Sequence, residues 1–181
     1  MGSAARPAAA VDLDDATTLL RAQFPSGLTR VLLVNPPDAD SGLFRVDAAQ
    51  RGVVPNFPPY GLAVLAQHLR AVGVEVRIVN LNHAVLKACR ETPAAAFEFD
   101  AVWQGALDAA LAAFAPELIG VTCMFTMTHE SLRQVCTWAA RGGIPVAIGG
   151  VHVTNDVERV LDDIPAARFA FLREADRAVQ H

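Results

Sequence analysis

Glu117-Leu118-Ile119-Gly120-Val121-Thr122-Cys123-Met124 and Ile144-Pro145-Val146-Ala147-Ile148-Gly149-Gly150-Val151-His152 decide the fold of this chain. Each opens on a short apolar run that reads as a buried strand, and each leads into a run with helical spacing. The two strands end in small or hydroxyl residues, Thr122 and Gly149-Gly150, on one edge of a sheet. In an open α/β sheet that edge is where ligands bind, near the point where strand order reverses. Large side chains would fill such a crevice, whereas these residues leave room for a bulky ligand.

The pattern repeats on either side. Val31-Leu32-Leu33-Val34 reads as a strand buried on both faces and is stopped by Asn35-Pro36-Pro37-Asp38. The long segment to Phe57 that follows is the kind of loop that is either functional or disordered. Pro58-Pro59-Tyr60-Gly61 launches a helix over 62–72, with Leu62, Leu65, Ala66 and Leu69 on one stripe. A second strand spans 74–79 and ends at Asn80-Leu81-Asn82-His83. Residues 84–113 are helical in pattern and broken near Thr92-Pro93, with the second helix from about 99 to 114. The third strand is 118–122, and hydroxyls around Thr126 and Thr128 offer N-caps for a helix through 140. The fourth strand is 144–148, and Thr154 reads as the N-cap of a helix to about 163. A short fifth strand covers 168–172, and Glu174 starts a last helix.

Five β-α units in succession predict an α/β fold, a Rossmann-like (flavodoxin-like) doubly wound sheet of five parallel strands in the order 2-1-3-4-5. Residues 1–29 form an N-terminal extension with a short helix opened by Asp12-Leu13-Asp14-Asp15, and 30–181 form the domain.

A chain of 181 residues suits one domain with a normal core. Hydrophobic residues make up 52% and mean hydropathy is +0.30. That excess reads either as apolar surface meeting a partner or as Ala-rich composition alone. A net charge of -4 gives no electrostatic case for nucleic acid or an anionic membrane. Apolar runs fall short of a membrane span, and the first ten residues lack a signal-peptide pattern, so a cytoplasmic location is expected. Cys89, Cys123 and Cys136 are isolated, which argues against a disulfide framework, a paired-cysteine zinc site or a three-cysteine cluster.

Beyond these patterns, five pieces in order and spacing resemble a known family: 31–37, Pro58-Pro59-Tyr60-Gly61-Leu62-Ala63, 116–122, Gly149-Gly150-Val151-His152-Val153-Thr154 and Leu172-Arg173-Glu174-Ala175-Asp176. They look like the N-terminal cobalamin (vitamin B12)-binding domain of cobalamin-dependent radical S-adenosylmethionine enzymes. The resemblance implies a methyltransferase domain that holds cobalamin across the C-terminal strand ends, with its nucleotide base detached. It implies cofactor contacts from Asn35, Pro36, Pro37, Tyr60, Thr122, Cys123, Met124, Phe125, Thr126, Gly149, Gly150, Val151, His152, Arg173 and Glu174. Thr122 would meet the nucleotide tail, the paired glycines would let the backbone approach it, and a side chain at Gly150 would project into ligand space.

Asn35-Pro36-Pro37-Asp38 replaces the Asp-x-His-x-x-Gly motif, so no histidine below cobalt, no metal ligand and no catalytic residue are expected in this chain. Arg173 stands where the radical-enzyme branch often has glycine. A catalytic barrel with a four-iron four-sulfur cluster and S-adenosylmethionine would lie downstream, because the cluster-binding Cys-x3-Cys-x2-Cys motif does not occur here. A free-standing cobalamin carrier or sensor without catalysis is the alternative.

Individual residues keep two readings. Thr122 ends a strand or meets a ligand; His129 and His152 are solvated or capping residues, or touch cofactor or substrate. Phe57 and Tyr60 pack on a ligand or form a lid over the domain's own core. Trp103, Trp138 and Cys136 read as core, and Asp162-Asp163 as a solvated helix end with no base beside it.

Overall fold

The computed structural model describes residues 13–173, so the start of the extension, Glu174 and the expected last helix lie outside the described residues. Five parallel strands, β1 (Arg30–Asn35), β2 (Glu75–Asn80), β3 (Leu118–Thr122), β4 (Val146–Gly149) and β5 (Ala167–Phe171), form one sheet in the order β2-β1-β3-β4-β5. The order reverses between β1 and β3, which fixes the switch point at Asn35 and Thr122.

Alternate strand residues feed two cores, as the two-residue period requires. On one face Val31, Leu33, Leu118 and Ala147 pack under α3 (Tyr60–Ala71), whose buried stripe is Leu62, Ala66 and Leu69. Phe24, just after α1 (Leu13–Gln23), joins this cluster. On the other face Leu32, Val34, Ile119, Val121 and Ile148 meet α4 (Leu81–Glu91), α5 (Phe99–Phe114), α6 (His129–Ala139), α7 (Val151–Asn155) and α8 (Val157–Asp163) through Val85, Leu107, Leu132, Val153 and Val160. Cys136 is fully buried there, as expected. Trp103 is core, but Trp138 is only half-buried; its indole N–H donates to Asp108 at 2.9 Å and Arg141 stacks on its ring.

Several boundaries differ from the sequence reading for local reasons. Helix α4 starts directly after β2, because the Asn80 side chain accepts from the His83 N–H at 3.0 Å and so caps it. Thr154 caps nothing; it lies inside α7, where its hydroxyl donates to the Gly150 carbonyl at 3.0 Å. The Thr128 hydroxyl donates to the Phe125 carbonyl at 2.8 Å, closing a 3-10 turn ahead of α6. The long segment after β1 is neither bare nor disordered: it contains α2 (Val46–Gln50), whose Ala49 is buried against Leu86 and Cys89 of α4.

The turn from β4 into α7 shapes the upper edge. Gly150 has φ +108, and a Cβ there would fall inside van der Waals contact with the Cys123 carbonyl oxygen. The backbones meet because the Cys123 N–H donates to Gly149 at 2.8 Å and the His152 N–H donates to Cys123 at 3.2 Å. A side chain at Gly150 would therefore strike β3, which corrects the expectation that it would enter ligand space. Gly150→Ala should cost at least about 1–3 kcal/mol, since backbone strain adds to the collision with the Cys123 carbonyl, and should lower the thermal midpoint of the ligand-free protein by roughly 3 °C or more. A calorimetric scan matching wild type would contradict this.

Candidate functional site

Above one sheet face the register places Thr122 beside Gly149 and Gly149 beside Phe171; one row lower, Gly120 sits between Leu33 and Ala147. Gly120, Thr122, Ala147 and Gly149 thus make a floor of small residues, with Leu33 and Phe171 as walls. A groove of about 1470 Å³ opens over it, flanked by Leu62, Leu65 and Leu69 of α3 and by Leu20 and Phe24 from the extension. Its mouth is lined by Met124, Gly150, Val151, Leu172 and Arg173.

The floor depends on missing side chains. A Cβ on Gly120 would lie 2.9 Å from Leu33 Cδ2, and one on Gly149 would lie 3.2 Å from the Phe171 carbonyl oxygen. Among the described residues the Thr122 hydroxyl has no hydrogen-bond partner, although it stands beside this floor. The charged residues of the described lining are Arg21 and Arg173, with no carboxylate and no histidine. The described lining is thus largely apolar, with positive charge only. Gly120 and Ala147 were not singled out from sequence; a glycine within an otherwise apolar strand is the signal that could have found them.

The other expected site residues fall into three groups. Asn35 ends β1, and its amide donates to Asn80 Oδ1 at 3.1 Å and to the Pro36 carbonyl at 3.3 Å. Pro36 and Pro37 are buried, and the Pro37 carbonyl accepts from the Ser131 hydroxyl at 2.8 Å. Met124, Phe125 and Thr126 are exposed on the loop after β3, and Val151 is exposed at the start of α7. Phe57 and Tyr60 are also exposed, at 71% and 75%, so neither forms a lid over the domain's own core. Arg173 has φ +60 and its N–H donates to the Thr154 hydroxyl at 2.9 Å. Glu174 lies outside the described residues.

Cys123 and His152 point away from the groove. The Cys123 thiol is 3.2 Å from the Thr128 hydroxyl, and burial pushes its pKa up. His152 is buried, with Nε2 2.9 Å from His129 Nδ1, and His129 Nε2 lies 3.5 Å from Asp163. Asp163 is thus not a lone solvated carboxylate, and the two histidines are not solvated loop residues. Among the described residues no group of three potential ligands is placed to hold a metal ion, and no helix is long and apolar enough to cross a membrane.

No curated protein matches the chain. Among solved structures, the 1.5 Å crystal structure of a protein described as a novel cobalamin-binding protein from Desulfitobacterium hafniense DCB-2 is similar at 17% identity with a TM-score of 0.49. The alignment covers 92% of this chain and 66% of that one, just under two thirds of its length. The B12 binding domain family matches residues 51–181, from the loop after β1 across β2 to β5. This chain belongs to the B12-binding domain family.

Proposed function

We propose that this chain binds cobalamin as one domain of a radical S-adenosylmethionine enzyme, a methyltransferase, and holds it with the nucleotide base detached from cobalt. The observation that carries the reading is the small-residue floor at Gly120, Thr122, Ala147 and Gly149, open along the sheet face and continuous with the strand ends. The Thr122 hydroxyl is available to the nucleotide tail, and Arg173 and Arg21 suit its phosphodiester charge. Gly149 and Gly150 bring backbone close to the ligand path. When bound, cobalamin supplies a cobalt centre that carries and transfers an alkyl group, methyl in this reading. Among the described residues the groove lining offers no imidazole, so in this reading no protein ligand takes the place of the detached base.

The enzyme assignment rests on the sequence resemblance and on the rim. Met124, Phe125 and Met127 follow β3, Phe57 and Tyr60 stand just before and at the start of α3, and all five are large and exposed. A surface of that kind is suited to being covered by a second folded unit. In this reading the cover is a downstream barrel that holds the iron-sulfur cluster and S-adenosylmethionine, in a cytoplasmic protein. The codons after His181 decide the point: a Cys-x3-Cys-x2-Cys motif there supports it, and a stop codon or an unrelated domain overturns it.

Titration with hydroxocobalamin tests the groove. Gly120→Val places branched bulk on the floor where Leu33 already sits, and should weaken binding at least tenfold, about 1.4 kcal/mol. Thr122→Val keeps the shape, removes the hydroxyl and should cost roughly 0.5–1.5 kcal/mol. Wild-type affinity in both variants, with circular dichroism unchanged, would place the ligand elsewhere.

A separate expectation concerns cobalt. The reduced, paramagnetic cofactor bound to this chain should give an electron paramagnetic resonance spectrum without nitrogen splitting. Splitting that persists when His129 and His152 are replaced would defeat the base-off reading, and splitting that disappears with either would show a protein ligand below cobalt.

A further inference from the structure

Away from the groove, the loops after β3 and β4 are joined by two imidazoles. His129 opens α6 and His152 lies in the first turn of α7, 23 residues apart in sequence, yet His129 Nδ1 is 2.9 Å from His152 Nε2. The rings meet edge to face at 87° with centroids 5.1 Å apart. Beneath them the His152 N–H donates to the Cys123 carbonyl, so the same residue ties side chain and backbone to the loop after β3.

The bond counts protons. With one ring N–H between the two nitrogens, one ring donates and the other accepts. A proton added at His129 Nε2 leaves that bond intact and faces Asp163 of α8, 3.5 Å away. Once both rings are protonated, two N–H groups face each other and the bond is lost. Every charged neighbour enters this balance. Asp163 also meets Arg159 at 3.6 Å, and Glu130, next to His129, is held by Arg133 at 2.6 Å.

From this geometry we infer that His129 and His152 form an acid-released clasp that positions the two loops carrying Met124, Gly149 and Gly150 at the mouth of the groove. Burial, first, and then His129 lower the pKa of His152; Asp156 opposes them and Arg159 adds to them. A base whose folded-state pKa lies below its free value of about 6.5 contributes stability that is complete above that value and lost as pH falls through the folded value. The clasp is therefore closed at neutral pH and opens on acidification. His129 and His152 act here as positioning residues.

Two readouts on the ligand-free chain test the clasp, and a third uses hydroxocobalamin. In a nitrogen-15 imidazole titration, His152 should remain neutral below pH 6.5 and protonate at a lower midpoint. The His152 amide should exchange at least tenfold faster at pH 5 than at pH 7.5, after correction for intrinsic chemistry and relative to Ile119. His129→Gln, which retains a hydrogen-bonding side chain but takes up no proton, should flatten that dependence. Two histidines titrating independently near the free value, or a pH dependence that survives in His129→Gln, would overturn the clasp; the wild-type titration decides if the variant does not fold. Because the mouth belongs to the cobalamin reading, wild-type affinity for hydroxocobalamin should also fall at least fivefold from pH 7.5 to 5.5. Absence of binding at every pH would refute the cobalamin proposal and leave the exchange result to judge the clasp; pH-independent binding would refute the clasp's effect on the mouth.

Discussion

The approach of the β4–α7 turn to the end of β3 sets the geometry of the whole upper edge. Cys123 donates its N–H to Gly149 and accepts from His152, so the two backbones are locked across a gap that admits no Cβ at Gly150. Parallel pairing alone would bring Thr122 beside Gly149. The extra backbone contact then sends Gly150 into positive φ and starts α7 immediately. As a result Thr122 and Gly149 face the groove, while Cys123 and His152 turn to the helix-covered side. One turn thus separates a surface suited to ligand contact from a polar cluster that ties the loops together.

The groove lies on the sheet face that carries α3. Of the described connections, the one from β1 to β2 places α3 on that face, whereas those from β2 through β5 place α4, α5, α6, α7 and α8 on the other. The helix-rich side fills with Leu107, Leu132 and Ile148 at close packing. Across β3 and β4 the opposite face carries Gly120, Thr122, Ala147 and Gly149, too small to fill the space that α3 leaves. Among the described residues, these small side chains leave the sheet surface beside α3 open.

Much of this was legible in the sequence, and the failures fall where side-chain hydrogen bonds set the element ends. The helix at 99–114 and the strand at 118–122 were read to the residue, because sustained periodicity and an apolar run bounded by Pro116 and Thr122 leave little ambiguity. The start of α4 was missed because Asn80-Leu81-Asn82-His83 looks like a loop until Asn80 is seen to cap it. Thr154 was misplaced for the opposite reason: a hydroxyl residue with the composition of a cap instead bonds back to Gly150 within a helix. The cluster of His129, His152 and Asp163 arises from three separate elements. Local sequence could not show it, since only the neighbouring positions of β3 and β4 bring the first two together.

The loop after β1 shows how the site is held in readiness. Its length suggests a large ordering cost, since fixing each backbone residue costs about 1–2 kcal/mol. The chain meets that cost before any ligand arrives, through polar ties to neighbouring helices and the burial of Ala49. Asp38 and Asn82 exchange two hydrogen bonds at 2.8 and 3.1 Å, Asn56 meets His83 at 2.8 Å, and Ser131 holds the Pro37 carbonyl. On the rim after β3 the backbone is tied, since the Phe125 carbonyl accepts from Thr128 and Cys123, but the large side chains of Met124, Phe125 and Met127 stay exposed. One side of the mouth is therefore pre-organised, which reduces the entropy a ligand must pay, and the other presents adaptable methionine and phenylalanine surface that can repack against whatever covers it.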